Sequence, residues 1–212
     1  MDLIVYRVVI MEEVNLATQS LFVERLSVMP LPLVLLPGGI QRLIIYEPRY
    51  LSMVKSAIEG RGFVVSLFKP DSPYSCSSWG VRVQIIDFNL GPGNILLIDV
   101  QALAMVELTH LAREASGLLR ADLTPREHWG YREIGSGAVA LVEHLGDIFK
   151  QHINLRELYK KPHFYDANWV CARYIELLPL SLNEKEKFIF DYGFDQIEGF
   201  LHTLIQGPIR NS

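Results

Sequence analysis

Residues 29–50 read MPLPLVLLPGGIQRLIIYEPRY, and the fold turns on how this stretch is read. Leu31, Leu33 and Leu35 alternate with Pro32, Val34 and Leu36, so both faces of the first segment are apolar, as in a strand buried on two sides. Pro30, Pro32 and Pro37 have no amide hydrogen to give a ladder, which makes that strand irregular or edge-lying. Pro37, Gly38 and Gly39 join a fixed φ to residues free to take positive φ, the chemistry of a tight turn. Leu43 and Ile45 then resume strand alternation. From Tyr46 the period becomes helical, with Tyr50, Leu51, Val54, Ala57 and Ile58 at helical spacing. Pro48 suits the first helical position, where a missing N–H costs nothing, and Gly60 ends the helix.

Downstream, FVVSLF at 63–68 reads as a buried strand and 69–78 as a polar loop. From Trp79, Val81, Val83 and Ile85 share a face, and a turn at Leu90–Asn94 leads into a long strand. In it Leu96, Ile98, Val100, Ala102, Ala104, Val106 and Leu108 face one way, with Asp99, Gln101 and Glu107 on a partly wet opposite face. Leu118–Leu123 alternates once more before Thr124-Pro125-Arg126 closes the strand-forming half. Beyond it the period is helical. Ala138, Leu141, Val142, Leu145, Ile148 and Phe149 form one stripe, and Asp166 can cap a helix that Pro179 stops. Asn183 with Glu186, and Asp195 with Glu198, read as capping boxes of a helix through Tyr192 and of a last helix. That last helix carries Ile197, Phe200, Leu201, Leu204 and Ile205 on one side and ends at Gly207-Pro208. Four helices follow five or six strands, an α+β class: a mainly antiparallel half-barrel with an embedded helix, then a helical bundle.

The order PLPLVLLPGG, then EPRY, then a short amphipathic helix resembles the opening of the N-terminal substrate-binding domain of Lon proteases. A Trp-Gly-Val strand, Asp87-Phe88, a glycine-containing turn and a long strand continue the likeness. So does the tail, where Trp169, Glu176, Leu177, Leu178, Pro179, Leu180 and Lys187 occupy matching positions. The long strand departs from the pattern: the family's Gly and Arg-Phe pair is replaced by Gln101-Ala102-Leu103-Ala104-Met105. The resemblance spans Arg25 to Ile205. It implies a PUA-like half-barrel at 25–125 and a helical subdomain at 126–212 packed on it, with residues 1–24 a variable extension. It further implies a non-catalytic module that binds unfolded or hydrophobic polypeptide segments and is linked to protein quality control, with a protease or chaperone as companion.

Composition bounds the alternatives. The 212 residues are 50% hydrophobic, enough for an ample core. Residues 1–125 and 126–212 each carry ten basic and twelve acidic side chains, so neither half has the clustered positive charge of a nucleic-acid footprint. An RNA-binding PUA-like module is the alternative reading, and this even charge argues against it. A mean hydropathy of +0.19 points to some apolar surface that faces a partner. No apolar run reaches the ~18 residues of a membrane span. Two distant cysteines outside any C-x-x-C pair, and an N-terminus without a positive start or cleavage site, fit a cytoplasmic protein with reduced thiols.

The sequence offers no catalytic constellation. Gly91-Pro92-Gly93 and Gly135-Ser136-Gly137 lack the lysine of a phosphate loop, there is no G-x-S-x-G elbow, and the ATPase and protease modules of a Lon protease would begin where this chain ends. His144 and His152 have no further ligand at zinc spacing, so neither metal nor cofactor is expected. Binding falls to the opening motif: Pro37, Gly38, Tyr46, Glu47, Arg49 and Tyr50 are the candidate residues. Each also has a structural reading. Glu47 complements a helix N-terminus, Arg49 pairs with a carboxylate, and the tyrosines and Trp79 pack in a core. The stripes Leu141–Phe149 and Ile197–Ile205 are read as burying one another, with a peptide groove between them as the second option.

Overall fold

The structure, a computed structural model, describes residues 24–206. The extension ahead of Glu24 and the Gly207-Pro208 stop therefore lie outside the described residues. Six strands and one helix form the first part: β1 (Glu24–Leu31), β2 (Ile40–Ile45), α1 (Pro48–Ser56), β3 (Phe63–Phe68), β4 (Cys76–Leu90), β5 (Leu96–Arg113) and β6 (Leu119–Pro125). They are ordered β2-β5-β4-β3-β1-β6, and β6 also pairs back onto β5. The half-barrel thus closes into a circuit, because β5 is eighteen residues long and serves β2 and β4 with its first part and β6 with its last. All ladders are antiparallel except β1 with β3, whose connection runs through β2 and α1.

Two cores result. Leu26, Val28, Val64, Val106, Leu108 and Ala121 form a cluster of strand residues alone, which fills the circuit. The larger cluster joins the other sheet face (Phe63, Val65, Ile98, Val100) to helix residues such as Leu141, Trp169, Ile175, Ile197 and Leu201. At ~1.5–3 kcal/mol for each fully buried aliphatic side chain, that shared core is what holds the two halves together.

Several expected elements are displaced. Leu31 is the last residue of β1, and Leu33–Leu36 is irregular although Val34, Leu35 and Leu36 are buried. The prolines leave too few donors for a ladder there, so burial comes from the helices instead. Cys76–Ser78 belong to β4, not to a loop, and Leu90 ends that strand. The single face expected for Leu96–Leu108 is split by a bulge: Arg82 pairs with Ala104 and Val83 with Ala102, leaving Leu103 unmatched. Past it Met105 faces the large core, Val106 and Leu108 the circuit interior, and Ala104 is exposed. Asp99, read as wet, is buried in an ion pair with Arg42 at 2.7 Å. After Ser56, α1 widens into a last turn ending at Gly62, where a Cβ would stand 2.0 Å from the Val83 carbonyl oxygen.

The second part has five helices among the described residues, not four: α2 (Val139–Gln151), α3 (Ile153–Leu158), α4 (Ala167–Leu177), α5 (Leu182–Phe190) and α6 (Phe194–Gln206). Asp166 caps α4 as expected, its side chain accepting from the Asn168 N–H. The capping box of α5 is Ser181 with Glu184, so Asn183 lies inside the helix, which stops at Phe190. Asp195 is within the first turn of α6, and its carboxylate pairs with Arg132 at 2.8 Å. Leu141, Leu145, Ile197 and Leu201 are fully buried in one cluster, so the two stripes do cover one another.

Candidate functional site

The opening motif is divided between two places. At the first, Pro37-Gly38 makes a tight turn: the Gly39 N–H donates to the Leu36 carbonyl at 2.9 Å and Gly38 has φ +78°. A side chain at Gly38 would stand 2.7 Å from Trp169 Cδ1. The turn's polar groups all face inward. Trp169 Nε1 donates to Gly38 O at 3.2 Å, and Arg173 Nη2 donates to Leu36 O at 3.0 Å. Glu176 accepts from the Leu36 N–H at 2.7 Å and from Arg173 Nε at 2.7 Å. Lys185 Nζ, also buried, donates to Glu176 O at 2.7 Å. His128, stacked on Trp129, lies beside this cluster; burial pushes its pKa down to about 4, with the Arg173 charge adding to the effect. Arg173 was missed in the sequence, where a lone arginine on a helix reads as solvent-facing. The only available signal was its position between Trp169 and Glu176 on α4, whose residues 167–175 are all buried.

At the second place Glu47, Arg49 and Tyr50 come together. Glu47 is the N-cap of α1 and pairs with Arg49, as the structural reading of both has it. Arg49 lies over the Tyr50 ring, 5.0 Å from its centre. With Tyr74, Arg113 and Gly117 they line a polar pocket of about 320 Å³. Burial raises the Tyr50 pKa, and both Arg49 and Arg113 oppose the rise. Tyr46 is not part of this pocket; it is exposed on its own. Trp79 is core, with Nε1 donating to Glu186 at 2.7 Å.

An apolar surface lies at the other end of α1. β3 leaves β4 at Val83, so Gln84–Leu90 pairs with β5 alone and has an open edge. Phe88 is 65% and Leu90 71% exposed, with Ile86 and Ile58 exposed as well. A furrow of about 240 Å³ runs between the last turn of α1 and this tail, lined by Ile58, Ile85, Ile86 and Phe88. The sequence reading carries the alternation only to Ile85 and places Leu90 in a turn, so the exposed Phe88 and Leu90 at the end of β4 are not picked out by it. A larger cavity of about 780 Å³ opens among α2, α3, α4 and α6, beside Ile148, Leu177, Leu204 and Ile205.

Both cysteines are free and buried; the Cys171 thiol is pushed up to about 12 by burial and the Cys76 thiol is also raised, so each stays protonated. No group of three His, Cys, Asp or Glu is placed to hold a metal among the described residues, and His144 instead bonds to the Tyr174 hydroxyl at 2.8 Å. No described helix is long and apolar enough to cross a membrane.

Residues 25–187 match the family described as the ATP-dependent protease La (LON) substrate-binding domain. Among solved structures, the Lon N-terminal domain protein from Xanthomonas campestris is similar at a TM-score of 0.64 and 24% identity, over 87% of this chain and 99% of that one. The N-terminal domain of the Mycobacterium avium complex Lon protease is similar at 0.58 and 12%, over 84% and 96%. At these identities the likeness is one of fold. No curated protein sequence matches the chain.

Proposed function

The chain belongs to the family of LON substrate-binding domains, and from that premise we propose that its substrates are unfolded or extended polypeptides rich in apolar side chains. The observation that carries this is the exposed apolar row Ile58, Ile86, Phe88 and Leu90 beside an open strand edge. Contiguous apolar surface of this kind marks an interaction site, and an open edge suits an extended ligand. The Asp87 carboxylate already accepts from the Phe88 N–H at 2.8 Å, so side chains, more than a ladder, would make the contact. The row lies wholly within residues 25–187, whereas the larger helical cavity is completed by Leu204 and Ile205 outside the matched region. The module itself would catalyse nothing and would hand its ligand to a companion protease or chaperone.

The test is fluorescence anisotropy with an unfolded, Leu- and aromatic-rich peptide. Binding should persist as salt rises and weaken at least ~10-fold in Phe88→Asp, because a charge placed on an apolar contact must be desolvated. RNA binding whose log affinity falls steeply with log salt, with no peptide binding, would instead establish the nucleic-acid alternative.

A further inference from the structure

Two guanidiniums converge on one glycine at the start of α1. Arg49 lies against Gly117, where a Cβ would stand 3.5 Å from Arg49 Nη1, and Arg113 Nη1 donates to the Gly117 carbonyl at 2.9 Å. Glu47 neutralises Arg49, but Arg113 has only that carbonyl as a hydrogen-bond partner among the described residues. Arg49 Nε is buried and has no hydrogen-bond partner among the described residues. The pocket of about 320 Å³ therefore holds one positive charge in excess, inside a chain whose net charge is −4. Its far wall is Tyr74, which together with Ser75 is held at positive φ (+60° and +53°). Consecutive non-glycine residues in that region are strained, and strain of this kind clusters at ligand sites.

We propose that this pocket binds a carboxylate of the substrate polypeptide, between Arg49 and Arg113. Arg113 carries the excess charge beside the neutralised Arg49–Glu47 pair, and an anion there balances it while meeting donors that have no partner among the described residues. A guanidinium's planar fork suits a carboxylate, and the faces of Tyr50 and Tyr74 suit the apolar stem that carries it. The carboxylate is that of a chain terminus or of an Asp or Glu side chain. The inference rests on the polypeptide reading above and adds a polar determinant to it at the opposite end of α1.

The experiment uses the full chain and amide NMR, with N-acetyl-leucine, N-acetyl-glutamic acid α-amide, N-acetyl-leucinamide and inorganic phosphate as probes. The two carboxylates should shift the Tyr50, Tyr74 and Gly117 amides, the stronger of the two identifying terminus or side chain, and the neutral amide should not. Arg113→Gln should weaken carboxylate binding at least ~10-fold, since one of two charge-assisted contacts is lost. Phe88→Asp should leave carboxylate binding unchanged. Equal binding of acid and amide, binding of phosphate alone, or an Arg113→Gln variant that binds as well as the parent overturns the site. Peptide binding that is sensitive to Phe88→Asp but blind to Arg113→Gln removes this inference and keeps the proposed function. Carboxylate shifts without any peptide binding keep the site and remove the polypeptide.

Discussion

Two arginine–carboxylate pairs secure the Pro37-Gly38 turn and the start of α1, and they do so in opposite environments. Arg173 and Glu176 have side chains 1% and 11% exposed, and they clamp the Pro37-Gly38 turn from α4. Arg49 and Glu47 have side chains 32% and 33% exposed, and they begin α1. In the buried pair the desolvation of both ions is partly offset because both carboxylate oxygens and all guanidinium donors but Nη1 find partners, although burial still raises the Glu176 pKa. The open pair is less completely matched, with Arg113 close by and without a carboxylate partner among the described residues. Near-complete pairing in a dry site makes a rigid joint; sparser pairing at a wet rim leaves capacity for a ligand.

The widest gap between the pairs should appear in stability. Glu176→Ala strands the Arg173 charge and the Leu36 N–H in the interior and should cost about 3–5 kcal/mol, read from the urea midpoint. A loss under ~1 kcal/mol would mean that the clamp is solvated and the contrast false. Next comes the imidazole beside the clamp. His128 has an ordinary pKa of 6.5 and a folded value of about 4 because it is half-buried away from water, with Arg173 adding to the effect. As pH falls from 6.5 toward 4 the unfolded chain takes up a proton that the folded chain refuses. Stability is therefore full above 6.5 and declines below it, by up to about 2–3 kcal/mol. Denaturation midpoints of the parent and of His128→Gln across that window should diverge, the variant giving the flatter limb; parallel limbs would place the imidazole in water. The smallest effect belongs to the open pair. Glu47→Gln should change stability by less than ~1 kcal/mol in the same urea titration, and a cost matching that of Glu176→Ala would erase the distinction.

How much of this was legible depended on whether the determinant was local. The Pro37-Gly38 turn, β3 at Phe63–Phe68 and the Asp166 cap follow from chemistry within a few residues and were readable. The face switch at Leu103 was not, because Ala102–Val106 is apolar on both sides of the strand and only the register against β4 shows which residue is extra. Ser181 displaced Asn183 as the cap of α5 because two capping boxes overlap in the sequence and the Glu186 carboxylate is taken up by Trp79 and Lys69. Of the candidate site, Glu47, Arg49 and Tyr50 were found because they are neighbours in the chain. Arg113 joins them from the end of β5 and Gly117 from the β5–β6 connection, and nothing in a linear reading puts those residues beside α1.

The closed circuit also has a consequence in time. β4 and β5 meet across a short turn, a contact that forms in microseconds, whereas β1 must wait for β3 and then for β6, where Glu24 meets Leu123. Closing so long a loop costs entropy before any strand contact repays it, so the seam between β1 and β6 should be the last ladder to form and should set the folding rate. During synthesis β1 leaves the ribosome first and stays without its outer partner until residue 125 has followed. For that interval the nascent chain displays an unpaired edge and the bare circuit interior to whatever surrounds it, and is itself an unfolded, apolar polypeptide of the kind proposed as its ligand.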